Sequence, residues 1–114
     1  MAQLNTFKSK QFSFVPGTIT TIYTAPAGYT AIILNAQCAN VNGDDALVTL
    51  KLLKGPAGSR TETHLVKLLP IPGNDSANLA TGKLVLEPGD ELTGVSSSNS
   101  NLELTLSLLE TLNA

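Results

Sequence analysis

The stretch LELTLSLLETL, Leu102 to Leu112, decides between two folds for this chain. Leucine and glutamate are good helix formers and argue for a carboxy-terminal helix. The spacing argues otherwise. Leu102, Leu104, Leu106 and Leu108 alternate with Glu103, Thr105 and Ser107, and a helix with leucine at every second position would be apolar on all sides. A strand sorts the same residues into one apolar and one polar face. We read a strand here, and expect one face on a core and the other on the outside of a sheet stack.

The same alternation recurs upstream. In YTAPAGYTAIILNAQCAN, Tyr23 to Asn40, the Pro26-Ala27-Gly28 turn opens a strand over residues 29–39, with Ile32, Leu34, Ala36 and Cys38 on one register. Ala31 and Ile33 blur that register, which reads as cover on both faces near the strand's start. Asn42-Gly43 is a strong hairpin signal, and residues 46–54 return with Val48, Leu50 and Leu52 on one face. Phe12 and Phe14 mark a short run over 11–15, and residues 18–24 are β-branched almost throughout. Residues 61–69 read as a strand of undetermined register, ended by Pro70, Pro72 and Gly73. Residues 73–78 read as loop, 79–86 as a strand, Glu87-Pro88-Gly89-Asp90 as a type II turn, and 91–96 as a short strand. About eight antiparallel strands with turns every 10 to 16 residues or so predict an all-β, two-sheet sandwich, jelly-roll-like. Residues 1–10 hold few apolar positions and are expected to form an arm; residues 11–114 form the single sandwich domain.

At 114 residues the chain can bury a core without disulfides. Its one cysteine, Cys38, sits in an apolar register with no basic neighbour and reads as a small core residue. Seven Lys plus Arg against nine Asp plus Glu leave a net charge of −2 without runs of one sign, so nucleic acid is not an expected partner. No apolar stretch approaches the ~20 residues of a membrane span, and MAQLNTFKSK lacks the apolar centre of a signal peptide, so synthesis in a reducing cytoplasm is expected. The low charge (14%) and abundance of Thr, Ser and Asn favour sheets over helices.

Candidate chemistry is sparse. His64 shares a face with Glu62 in the expected strand, as a base and its orienting carboxylate would, but no nucleophile accompanies them and surface pairing explains them. Asn40, Asn42 and Asp44 resemble the opening of a calcium loop, yet the closing position is Lys51, and a hairpin turn accounts for the same residues. Asn74-Asp75-Ser76 fits a glycosylation sequon and reads as loop. Tyr23 and Tyr29 are the two aromatics placed to stack on a sugar; packing at the rim explains them too. No enzyme activity, cofactor, metal or small-molecule substrate is expected.

The pattern Thr21-Ile22-Tyr23-Thr24-Ala25-Pro26-Ala27-Gly28-Tyr29-Thr30-Ala31-Ile32-Ile33, then Asn42-Gly43, then Leu86-Glu87-Pro88-Gly89-Asp90-Glu91-Leu92, resembles the small β-sandwich virion proteins of tailed bacteriophages. The likeness spans residues 18–52 and 84–110. It implies a capsid cement or decoration protein, made in the host cytoplasm and carried in the virion, that binds and stabilises the major capsid protein lattice and neighbouring copies of itself as a dimer or trimer. A tail or neck adaptor or fibre-associated protein is the alternative in the same particle, and a carbohydrate-binding module the alternative outside it. The expected partner contacts are Gln3, Leu4, Phe7, Lys8 and Lys10 of the arm, Arg60 in the loop 55–60, and Ser98 and Asn99 at the tip 97–101.

Overall fold

The computed structural model describes residues 5–55, 58–80, 83–97 and 102–112. Nine strands and no helix run through them: β1 Asn5–Ser13, β2 Thr20–Thr24, β3 Tyr29–Asn40, β4 Ala46–Lys54, β5 Thr61–Ile71, β6 Ser76–Asn78, β7 Leu84–Leu86, β8 Glu91–Ser96 and β9 Leu102–Leu112. They nest as antiparallel pairs, β1 with β9, β2 with β8, β3 with β6 and β7, and β4 with β5. Pairing of β9 with β3 and of β8 with β4 then joins these into two sheets. The β9 sheet runs β1-β9-β3-β6, with β7 also on β3; the β8 sheet runs β2-β8-β4-β5. With β6 and β7 counted as one interrupted strand, this is the eight-stranded, double-sheet order of a jelly roll.

The leucine register of β9 does what its spacing demands. Leu102, Leu104, Leu106 and Leu108 are all buried, with Ile22, Val48, Leu50 and Leu92 of the β8 sheet in the same core. Each buried leucine is worth about 1.5–3 kcal/mol. Helix preference is a few tenths of a kcal/mol per residue, so burial wins. Phe12 and Phe14 close one end edge to face, with ring centroids 5.2 Å apart.

The blur in β3 has a different cause from the one its sequence implies. Ala31 and Ile33 are buried, and so are Ala36, Cys38 and Asn40. A β-bulge between Ile33 and Asn35 shifts the register there, so that the core-facing positions change from odd to even. Ile32 and Leu34, expected in the core, therefore face away from it, and the strand's start is covered on one side only.

Three further segments depart from expectation. Residues 5–10, expected as an arm, form the first part of β1 and pair with β9 along their whole length. β5 continues through Pro70 to Ile71, which an edge strand permits because proline's missing donor points away from the sheet. Two register shifts against β4 explain its unreadable pattern, one of them accommodated by Leu68 at a φ of 51°. Of the expected strand 79–86 only Leu84–Leu86 is strand, as β7, while β6, Ser76–Asn78, lies inside the expected loop 73–78. Between them the Asn78 side chain takes over from the ladder, its Oδ1 accepting the backbone N–H groups of Ala36 and Ala80 at 3.2 Å each.

Candidate functional site

Directly paired residues in an antiparallel sheet share a face, so the register of the β9 sheet specifies its outward surface. Phe7 pairs with Leu109, Leu109 with Ile32, and Ile32 with Val85. These four make one apolar row straight across β1, β9, β3 and β7 on the side away from the core. Phe7 is 74% exposed and Val85 49%; Leu109 and Ile32 between them are half-buried. The rows beside it are polar and uncharged: Ser9, Ser107 and Asn35 on one side, Asn5, Thr111 and Thr30 on the other. Among the outward residues paired across β1, β9 and β3, the sole charge is Glu103, at one end.

A second group of residues lies on the inward side, past the end of the leucine register. Glu110 takes the place a fifth leucine would hold and is buried. Its carboxylate accepts a hydrogen bond from the Tyr23 hydroxyl at 2.5 Å and an ion pair from Lys8 Nζ at 2.7 Å. Burial raises the Glu110 carboxyl, but the hydrogen bonds from Lys8 and Tyr23 and the charge of Lys8 outweigh it and hold the group below the ordinary carboxylate value. Burial, with the hydrogen bond to Glu110 and its charge, pushes the Tyr23 phenol above its usual value. These groups brace the two sheets.

At the β8 sheet, Asp90 is buried and accepts from Lys54 Nζ at 2.6 Å and from the Glu87 backbone N–H at 2.8 Å, so it ties the Glu87–Asp90 turn to the end of β4. The hydrogen bond that the Lys54 amine donates to Asp90 raises it, and the charges of Asp90 and Glu87 add to this against a lowering by burial. Both Lys54 and Asp90 line a shallow cleft with Gly55, Ser59 and Thr61.

The residues singled out from sequence fall in separate places. Phe7 stands in the outward apolar row. Lys8 is spent on Glu110, and Lys10 is exposed on the same strand. Arg60 pairs with Glu91 at 3.1 Å on the other sheet. Gln3, Leu4, Ser98 and Asn99 lie outside the described residues. His64 and Glu62 are exposed, and Glu62 lies 3.7 Å from Lys51. The side chain of Asn40 is consumed by its own turn: Nδ2 donates to the carbonyls of Asp44 at 2.8 Å and Ile71 at 3.0 Å, and Oδ1 accepts from the Asn42 N–H at 3.0 Å. Among the described residues no three His, Cys, Asp or Glu side chains gather as metal ligands. Leu109, Ile32 and Val85 escaped sequence reasoning because they meet Phe7 only through the register of sequence-distant strands.

Comparison with known proteins places the fold. No protein family and no curated protein matches this sequence. Among solved structures, the chain is similar to a protein of the T13 viral particle of infectious bursal disease virus, at 14% identity and a TM-score of 0.57, covering 97% of this chain and 32% of that one. A second structure of infectious bursal disease virus, strain Gx, matches at 13% identity and a TM-score of 0.57, over 96% of this chain and 33% of that one. A protein of Bacillus endospore appendages, described as disulfide-linked pili, matches at 14% identity and a TM-score of 0.57, over 99% of this chain and 93% of that one. The chain thus spans about a third of the length of the two viral proteins and nearly all of the appendage protein.

Proposed function

We propose that this chain is a structural subunit of a virus particle, a cement or decoration protein of a tailed-phage capsid that seats on the major capsid protein lattice beside its own copies. The outward surface of the β9 sheet carries this reading. A face that carries one charge among the outward residues paired across β1, β9 and β3, crossed by an exposed apolar row, suits contact with another protein surface. The similarity to viral-particle proteins supports it, as does the sequence resemblance to small virion proteins. On this reading the protein performs no catalysis and resides in the virion after synthesis in the host cytoplasm.

A tail, neck or filament subunit is the second reading, favoured by the match to almost the whole of an appendage protein. A covalent link between copies is not part of it here, because Cys38, the one cysteine, is buried.

Particles made without the protein test the first reading. They are expected to assemble but to lose their contents sooner on heating or osmotic shock, and to regain resistance when the purified protein is added. Heads of unchanged robustness would sink it. Labelled copies separate the two readings, since a capsid site predicts tens to hundreds per particle and a tail site a handful.

A further inference from the structure

We infer that two copies of this chain pair back to back through the outward face of the β9 sheet, with the row Phe7–Leu109–Ile32–Val85 at the centre of the contact. The inference rests on the assembly reading above and names the partner of that surface. Three observations select a second copy. The first is charge: the sole charge among the outward residues paired across β1, β9 and β3 is Glu103, so two such faces meet over an uncharged centre, with like charge confined to one end.

The second is geometry. A straight row across a sheet superposes on its own copy under a twofold axis lying in the contact plane, as an isologous interface requires. The row tapers, with the large, 74% exposed Phe7 at one end and the smaller Val85 at the other. An axis along the strands reverses one row against the other, so Phe7 meets Val85 of the second copy and Leu109 meets Ile32. Size then complements size. An axis along the row would instead set Phe7 on Phe7 and leave a gap at Val85.

The third is extent. Three strands at about 4.8 Å spacing with nine residues each at about 3.4 Å rise, and the three residues of β7, give a footprint of roughly 500 Å². Two such faces bury about 1,000 Å² in total, the area at which a specific interface begins. Two twisted sheets stack in this way at about 30° to each other.

Size-exclusion chromatography with light scattering on the full chain tests the pairing. Wild type is expected at twice the chain mass. Phe7→Lys and Val85→Glu, each at an exposed position, are expected to run at the single-chain mass with an unchanged β spectrum and a thermal midpoint that no longer rises with protein concentration, and the uncharged Phe7→Ser to shift the equilibrium the same way. Mixing Phe7→Lys with Val85→Glu places lysine against glutamate in the reversed rows and is expected to restore the doubled mass. Val41→Lys, on an exposed apolar residue elsewhere, is expected to leave it doubled.

A wild type that stays single at all concentrations overturns the pairing, as do variants that remain double or a mixture that fails to recover. A single-chain wild type whose particle binding is lost in Phe7→Lys would assign the face to the capsid lattice instead, and also overturns it. A single-chain wild type that binds particles through other residues leaves the particle reading intact while the pairing falls. A double wild type, broken by these changes but unable to bind any particle, upholds the pairing and sinks the particle reading.

Discussion

Tyr23 of β2 and Glu110 of β9 join the two sheets through a 2.5 Å hydrogen bond, at the point where the leucine face of β9 gives way to a buried carboxylate. Lys8 of β1 pairs with the other carboxylate oxygen from a half-exposed position, so one acid holds three strands together. The charge is buried but fully partnered, which is the condition under which a buried acid is tolerated.

Because the folded Glu110 carboxyl lies below its ordinary value, it contributes stability that is present above the ordinary carboxylate range and is lost as pH falls through the folded value. Glu110→Gln is expected to cost about 1–2 kcal/mol at neutral pH, since Lys8 can regain water while Tyr23 loses a charged acceptor. It should also flatten the acid limb of stability below about pH 4–5. Urea midpoints across that range check this; parallel acid limbs for the two proteins would rule it out.

Gly73 sits where two turns touch backbone to backbone. A Cβ there would stand 2.2 Å from the carbonyl oxygen of Gly43. Backbone cannot swing aside as a side-chain end can, so Gly73→Ala is expected to destabilise by about 2–4 kcal/mol, like a severe overpacking change. A thermal midpoint within a degree or so of wild type would contradict the contact.

Leu68 holds a left-handed φ of 51° on the edge strand β5, with its side chain 57% exposed. A leucine gains nothing there that offsets the roughly 1 kcal/mol cost of that conformation. Leu68→Asn is expected to raise stability by about 0.5–1 kcal/mol, because asparagine tolerates the left-handed region, whereas Leu68→Val is expected to lower it. Equal denaturation midpoints for the two variants would refute the strain.

Burial pushes the Cys38 thiol up to about 12, and its side chain is wholly enclosed. Labelling by a thiol reagent is expected to proceed at the rate of global opening, and to change little when pH rises by about two units from neutral, unlike an exposed thiol. Rapid labelling of the native protein would show that β3 opens locally.

The parts of the fold that were legible in sequence are those whose chemistry is local. Leucine at every second position marked β9, and Pro88-Gly89 marked a turn without any knowledge of partners. Asn42-Gly43 marked a chain break but not the expected hairpin, because β3 and β4 pair in different sheets and the link between them crosses the sandwich. What escaped was set by pairing across the chain. The bulge at Leu34 moves Ile32 from the expected core to the surface, and no local signal distinguishes it from an ordinary alternating residue. Asn78 reads as loop because its side chain supplies the acceptor that a ladder would have supplied. The outward row was accessible only at Phe7, whose three companions come from positions 32, 85 and 109.

The nesting of strands has a kinetic consequence. Among the described strands β1 has one neighbour, β9, and β9 is also the bond between β1 and β3. During translation, residues 5–13 must wait, unpaired and carrying Phe7 and Phe12, until residues 102–112 have left the ribosome. Closure of the sandwich is therefore a late event with a large loop to shut, and the interval before it is when a nascent chain is most open to chaperone capture or to mispairing with its neighbours on a polysome.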